Sequence, residues 1–223
     1  MRLRIIGDVH QYYDAYFSLT EECDYSIQVG DMGFNYDPLK AIHSEKHKFI
    51  GGNHDNYDQY YRCPHVVEST NQIVHLKDFG FVSMYGFDFF FVRGGFSVDW
   101  RQRQRNYLKG GLKSYWDSEE LHIEAMDAAL SAYKKQRPKV VITHECPRSI
   151  SKLVGDNSIL EMFGYNPKTF TTRTSELLEM MFQIHQPEKW YFGHYHKDWT
   201  GTVNGTEFRC IDELGYQDVE LPD

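Results

Sequence analysis

Five short runs constrain the fold most: residues 3–6, 26–29, 48–50, 140–142 and 190–192, each rich in β-branched or aromatic side chains. A compact polar motif follows each. In order these are Gly7-Asp8-Val9-His10, Gly30-Asp31, Gly52-Asn53-His54-Asp55, Thr143-His144 and Gly193-His194-Tyr195-His196. The runs predict buried strands. Helical patterns over 12–22 and 37–46 separate the first three, which predicts a largely parallel, right-handed α/β arrangement. In such sheets, side chains just past the strand ends meet along one edge, and ligands bind there.

Elsewhere the pattern changes. Aromatic and β-branched runs between 66 and 92, broken by Gly86, predict an antiparallel meander. A helix is expected over 117–136, capped by Asp117 with Glu120 three residues on, and another over 175–186 before Pro187. Runs at 200–203 and 207–211 around Asn204-Gly205 predict a hairpin. The stretch 149–174, interrupted by Gly155, Gly164 and Pro167, has no period and is expected to be a loop over the site.

With 223 residues, the chain has the length of one domain, and residues 1–223 are read as such. No apolar stretch reaches the ~20 residues of a membrane span, and no secretory signal opens the chain. A cytoplasmic, membrane-free protein is expected. Cys23, Cys63, Cys146 and Cys210 are scattered without a CxxC pair, so neither a disulfide framework nor a thiolate zinc site is expected. The net charge of −8 argues against a broad nucleic-acid footprint but leaves room for a small anionic substrate beside bound cations.

The motif residues define the chemistry. A lone Gly-Asp is an ordinary turn and a lone His an ordinary side chain, but five such motifs, each at a strand end, make one site. Asp8, His10, Asp31, Asn53, His144, His194 and His196 are oxygen and imidazole donors suited to two divalent ions joined by a carboxylate. An Asp-x-His at a strand end can turn both side chains to one ion. His54 is placed to reach the same space.

The motif series resembles the signature of the calcineurin-like metallophosphoesterase superfamily: GDxH, GD, GNH followed by Asp or Glu, a later His, and GHxH. It runs through most of the chain, to His196. The resemblance implies a four-layer αββα sandwich with mixed sheets and a dinuclear metal site at the strand C-terminal ends. It also implies that Asp8, His10 and His196 hold one ion, that Asp31 bridges, and that Asn53, His144 and His194 hold the other. Manganese, iron, zinc and nickel all suit these donors, manganese being the first choice. The reaction expected from two-metal chemistry is attack of a metal-bridging hydroxide on phosphorus, with His54 stabilising the transition state and protonating the leaving oxygen.

Two departures bear on the substrate, expected to be a small phosphomonoester or a nucleotide-type diester or anhydride. The protein phosphatase branch of the superfamily has GDxxDRG and RGNHE; here Phe34 stands in place of the acid that orients the histidine, and Gly51 in place of the arginine. Asp55 and Asp37 are the candidate partners of His54, and Asp55 is counted with it as catalytic. Arg101, Arg103 and Arg105, in a Gly-Gly-x-Ser-x-Asp segment similar to those of small bacterial and phage members, are candidate phosphate ligands. Trp100, Tyr107, Tyr115 and Trp116 offer stacking faces nearby. The alternatives are a nuclease of the same superfamily, which would want a longer basic groove, and a catalytically silent scaffold, which would show broken ligands.

Overall fold

The computed structural model describes residues 1–42, 45–60 and 74–221. Its first half lays down β1 (Arg2–Ile6), α1 (Tyr13–Glu21), β2 (Tyr25–Gln28), β3 (His47–Ile50), α2 (Tyr57–Tyr60), β4 (Val74–Leu76), β5 (Phe79–Met84) and β6 (Phe87–Val92). Then come α3 (Trp100–Leu108), α4 (Ile123–Gln136), β7 (Val140–Thr143), α5 (Arg148–Val154), α6 (Asn157–Met162) and α7 (Arg173–Ile184). The chain closes through β8 (Lys189–Phe192), β9 (Trp199–Val203), β10 (Thr206–Cys210) and β11 (Tyr216–Glu220).

Two mixed sheets form, in the orders β11-β1-β2-β3-β4 and β5-β6-β7-β8-β10-β9. β1 to β4 run parallel, as do β6, β7, β8 and β10, while β11, β5 and β9 are antiparallel edges. The sheets pack face to face through Ile5, Ile27, Ile50, Phe89, Phe91 and Tyr191. Strand alternation sends the neighbouring Phe90 outward, where it joins Trp190 and Phe208 beneath Tyr133 of α4 and Met181 of α7. On the opposite face Tyr16 of α1 and Tyr57 of α2 cover Phe49. The architecture is therefore the expected αββα sandwich.

All five expected strands form, within a residue or so at each end. The hairpin forms too, with Asn204 and Gly205 at φ 49° and 84°, the left-handed pair its tight turn requires. Several expectations are corrected. The helix expected over 37–46 is a five-residue 3-10 turn, Asp37–Ala41; the chain re-enters a strand at His47, and 43–44 lie outside the described residues. The meander is divided between sheets, β4 pairing with β3 and β5 with β6, while its stretch 66–73 lies outside the described residues. The fourth helix starts at Ile123 rather than Asp117 because the acids before it are engaged elsewhere. Glu119 accepts from the Trp116 amide (3.0 Å) and Glu120 from the Thr174 amide (2.8 Å). The stretch 149–174 carries α5 and α6 instead of being loop throughout. Among the described residues, no helix is long and apolar enough to cross a membrane.

Candidate metal centre and cleft

The parallel strands of each sheet deliver their motif loops to one end, and the two sets meet there. β1, β2 and β3 bring Asp8, His10, Asp31, Asn53 and His54; β7 and β8 bring His144, His194 and His196. Hydrogen bonds stitch the sets together. The His194 amide lies 3.1 Å from both oxygens of Asp8, and His144 Nδ1 lies 3.0 Å from the Val29 carbonyl. Donation by Nδ1 to that carbonyl leaves Nε2 of His144 with the lone pair a metal needs.

Asp8, His10, Asp31 and His196 form one group whose ligand atoms all lie within 4.8 Å of one another. His10 Nε2 and His196 Nε2 are 3.0 Å apart, and His196 Nε2 is 3.2 Å from Asp8 Oδ2. Two ligands at right angles, each about 2.1 Å from a common ion, would stand about 3.0 Å apart. A second trio lies alongside. Asn53 Oδ1 is 3.0 Å from His144 Nε2 and 2.8 Å from His194 Nδ1. Asp31 faces both groups, with Oδ2 3.7 Å from His10 Nε2 and Oδ1 3.2 Å from His144 Nε2.

Backbone geometry explains why these residues sit beside glycines. Gly30 has φ 110°, and a Cβ there would fall 2.4 Å from His144 Nδ1; one on Gly193 would fall 2.2 Å from Asp8 Oδ1. Several of these motif residues are themselves strained. His10, Asp31, His194 and His196 adopt φ of 47°, 60°, 71° and 47°, the left-handed region that costs a non-glycine residue about 1–3 kcal/mol.

The acids make this end of the sandwich hungry for positive charge. Burial opposes charge on Asp31, yet His144 and His54 hold it well below the usual carboxylate range. Burial likewise opposes the His144 cation, but Asp31 and Asp8 push its pKa up to about 10. His194 goes the other way, to about 3, through burial and the adjacent His144. This is a donor set in which a cation would replace protons.

His54 donates its amide to Asp31 Oδ1 at 2.6 Å and sets its ring against His10, 4.8 Å between centroids. Phe34 stacks on its other side at 6.0 Å, and Arg103 Nη2 hydrogen-bonds its Nε2. Burial, then the Arg103 charge, push its pKa down to about 4 against the pull of Asp31. Asp55 is turned elsewhere: its carboxylate accepts from the amides of Asp31 (2.9 Å) and Gly52 (2.6 Å) and from the Tyr36 hydroxyl (2.8 Å). It ties the second motif loop to the third. Burial and the charge of Asp31 push its pKa up to about 7. Asp37 is paired with Lys40 on the surface.

The arginines separate because positions two apart lie on opposite faces of a helix. Arg101 and Arg105 are exposed, whereas Arg103 is buried on the inner face of α3. Asp99 holds its Nε at 2.8 Å, and its Nη1 reaches the carbonyls of Asn53 (3.3 Å) and Ser114 (3.2 Å). From there a cleft of about 380 Å³ opens beside Asp31, Asn53, His54, His194 and His196 and runs under α5 and α6. Of the four suggested stacking residues none lines it.

A family model described as "Calcineurin-like phosphoesterase" matches residues 1–198, the whole span that carries these loops. The chain belongs to that family. A similar fold is seen in a solved structure of low identity. A Staphylococcus aureus protein assigned as a 5'-nucleotidase superposes with a TM-score of 0.55 at 14% identity, over 97% of this chain and 50% of that one. The phosphopantetheinyl hydrolase PptH of Mycobacterium tuberculosis gives 0.49 at 13% identity, over 99% and 96%. No curated protein matches the sequence.

Against the family pattern, this calcineurin-like chain gathers every sequence-predicted ligand at one end, together with His54 and Arg103. It does not bring Arg101, Arg105, Asp37 or the ring-facing carboxylate expected of Asp55 to His54. Sequence reasoning missed Ser97, whose hydroxyl accepts from Asn53 Nδ2 at 3.1 Å and so aims Oδ1 at the two histidines. The Gly-Gly-x-Ser placement directly after β6 was its only signal. Glu145 was missed as well: it is buried beside the cleft, where burial and Glu120 push its pKa up to about 8.

Proposed function

We propose that this phosphoesterase holds two divalent cations and hydrolyses a small phosphorylated molecule, a monoester or a nucleotide-type diester or anhydride. The observation that carries the reading is Asp31, whose two oxygens each face a different ligand group. Asp8, His10 and His196 take one cation, and Asn53, His144 and His194 the other. When bound, the pair supplies an activated water nucleophile and neutralises charge on the phosphoryl oxygens.

The chain's own residues do the rest. Arg103 offers a fixed guanidinium at the cleft wall, a positive charge that Gly51 lacks, with one Nη2 hydrogen left for a phosphoryl oxygen. His54, accepting from Arg103, holds that charge against the ligand loops and presents its ring to the phosphoryl group. The fixed positive charge in this reading is Arg103, with His54 as the polar group between it and the metals. Asp55 is a positioning residue for the loops rather than a proton carrier.

The test is metal content and turnover together. The chain loaded separately with Mn²⁺, Zn²⁺, Fe²⁺ and Ni²⁺ should bind two ions and cleave members of a panel of monoesters, diesters and anhydrides. Asp31→Asn should lose metal stoichiometry as well as activity. Two tightly held ions per chain in that variant would refute the bridging role, and no turnover with any loaded metal would refute the enzyme.

A further inference from the structure

The cleft is larger than the chemistry requires. Its volume of about 380 Å³ falls in the range of pockets that enclose whole small ligands, about 300–1,000 Å³, whereas a phosphoryl group at the metal loops fills one end only. The remainder is lined by Phe96, Ile159, Leu160, Phe163 and Phe170, with the polar side chains of Glu145, Lys152, Asp156 and Asn157 also facing it. The apolar side chains are not spent on the core. The helix α6 carries Ile159, Leu160 and Met162 in six residues yet buries none of its residues, and Phe96, Phe163 and Phe170 are each only half-buried.

The wall is nonetheless built rather than loose. Phe96, on the loop after β6, meets Phe170 at 5.9 Å and Tyr165 at 6.1 Å, and Tyr165 meets Phe170 at 4.8 Å, all inclined rather than parallel. Phe96 therefore fastens the α6–α7 connection to the loop whose Ser97 aims Asn53. Apolar rings fixed next to a phosphate-binding end favour a ligand with the matching polarity: an anionic head and a flat apolar body.

We propose that Phe96, Phe163, Phe170 and the inner side of α6 form a specificity pocket for the organic part of the substrate, and that this part is an apolar ring system rather than a polyol or a peptide. The substrate class rests on the phosphoesterase reading; the pocket does not. Two measurements on the full-length, Mn²⁺-loaded chain keep them apart. One compares kcat/KM for 1-naphthyl phosphate and glycerol 1-phosphate in the wild type, Phe163→Ala and Phe170→Ala. The other compares calorimetric binding of 1-naphthylmethylphosphonate and methylphosphonate, which are not hydrolysed.

The naphthyl compounds should be preferred at least about tenfold in both assays, the scale on which apolar pockets discriminate. Each alanine variant should lose about fivefold or more on the naphthyl compounds and stay within twofold on the small ones. Preferential naphthyl binding without hydrolysis of either ester would support the pocket while overturning the phosphoesterase reading. Equal kcat/KM and equal binding of the two ligands, or variants that leave the preference intact, would overturn the pocket.

Discussion

Replacing Arg103 by alanine removes a guanidinium whose donors reach Asp99, two backbone carbonyls and the His54 ring. A hydrogen bond from a charged donor contributes about 1.5–3 kcal/mol, and the contact with a substrate phosphoryl oxygen is of that kind. Loss of that one contact corresponds to about 10- to 150-fold in kcat/KM. Folding stability should fall less than for a fully buried pair, because the Asp99 side chain is 30% exposed and can return to water. Arg103→Lys keeps the charge without the planar donor set that fixes it in place, so it should lie between the wild type and alanine. The assay is steady-state kinetics on each variant alongside its bound-metal content and a urea melt. Activity within threefold of wild type in folded, metal-loaded Arg103→Ala would refute the phosphate contact. A loss of turnover that tracks a loss of metal would instead trace the effect to the Asn53 carbonyl that Arg103 supports.

His54→Ala should keep its metal and lose about 10²- to 10⁴-fold in turnover, the usual reach of a positioned proton-transfer or polar group; near-full activity on every cleavable ester would exclude the role. Gly193→Ala places a Cβ 2.2 Å from Asp8 Oδ1, so the carboxylate must move, and calorimetry should show weakened cation binding; unchanged affinity would contradict the close approach. Glu119, whose carboxyl hydrogen-bonds Ser97, gives a pH signature. Burial raises its pKa from the ordinary 4.5 to about 7, so the folded chain retains a proton that the unfolded chain releases. Its contribution to stability is complete below pH 4.5 and declines as pH rises toward 7, by up to about 3 kcal/mol. Relative to Glu119→Gln, the wild-type Tm should drop several degrees between pH 5 and 7.5; parallel Tm curves would remove the effect.

The strands and the convergence of their motif side chains were legible because each apolar run ends in a motif with little freedom, as at Ile6-Gly7-Asp8 and Phe192-Gly193-His194. Elements with no apolar stripe were not. The helix α3, WRQRQRNYL, is almost wholly polar, so periodicity cannot reveal it, and its one inward residue, Arg103, looked equivalent to Arg101 and Arg105. β11 was likewise hidden, since Tyr216–Glu220 becomes a strand only by pairing with β1 at the far end of the chain. Acids near helix starts misled for the opposite reason: Glu120 reads as part of a local cap but bonds to Thr174 in another helix. Phe34 could be seen to replace an acid, yet its stacking on His54 depends on the course of a loop.

The division of the motif side chains between two sheets sets an order of events in time. Asp8 and His10 are made before His196, which follows every strand of the first sheet except β11. A nascent chain that stops at α7 has made five of the eight motif side chains on one sheet and only His144 on the other. Neither proposed ligand group is then complete, so a chain at that stage offers free metal no finished seat. On the proposed assignment, cation uptake should begin only when β8 and the loop that carries His194 and His196 have emerged and docked, which makes metal content a record of finished folding.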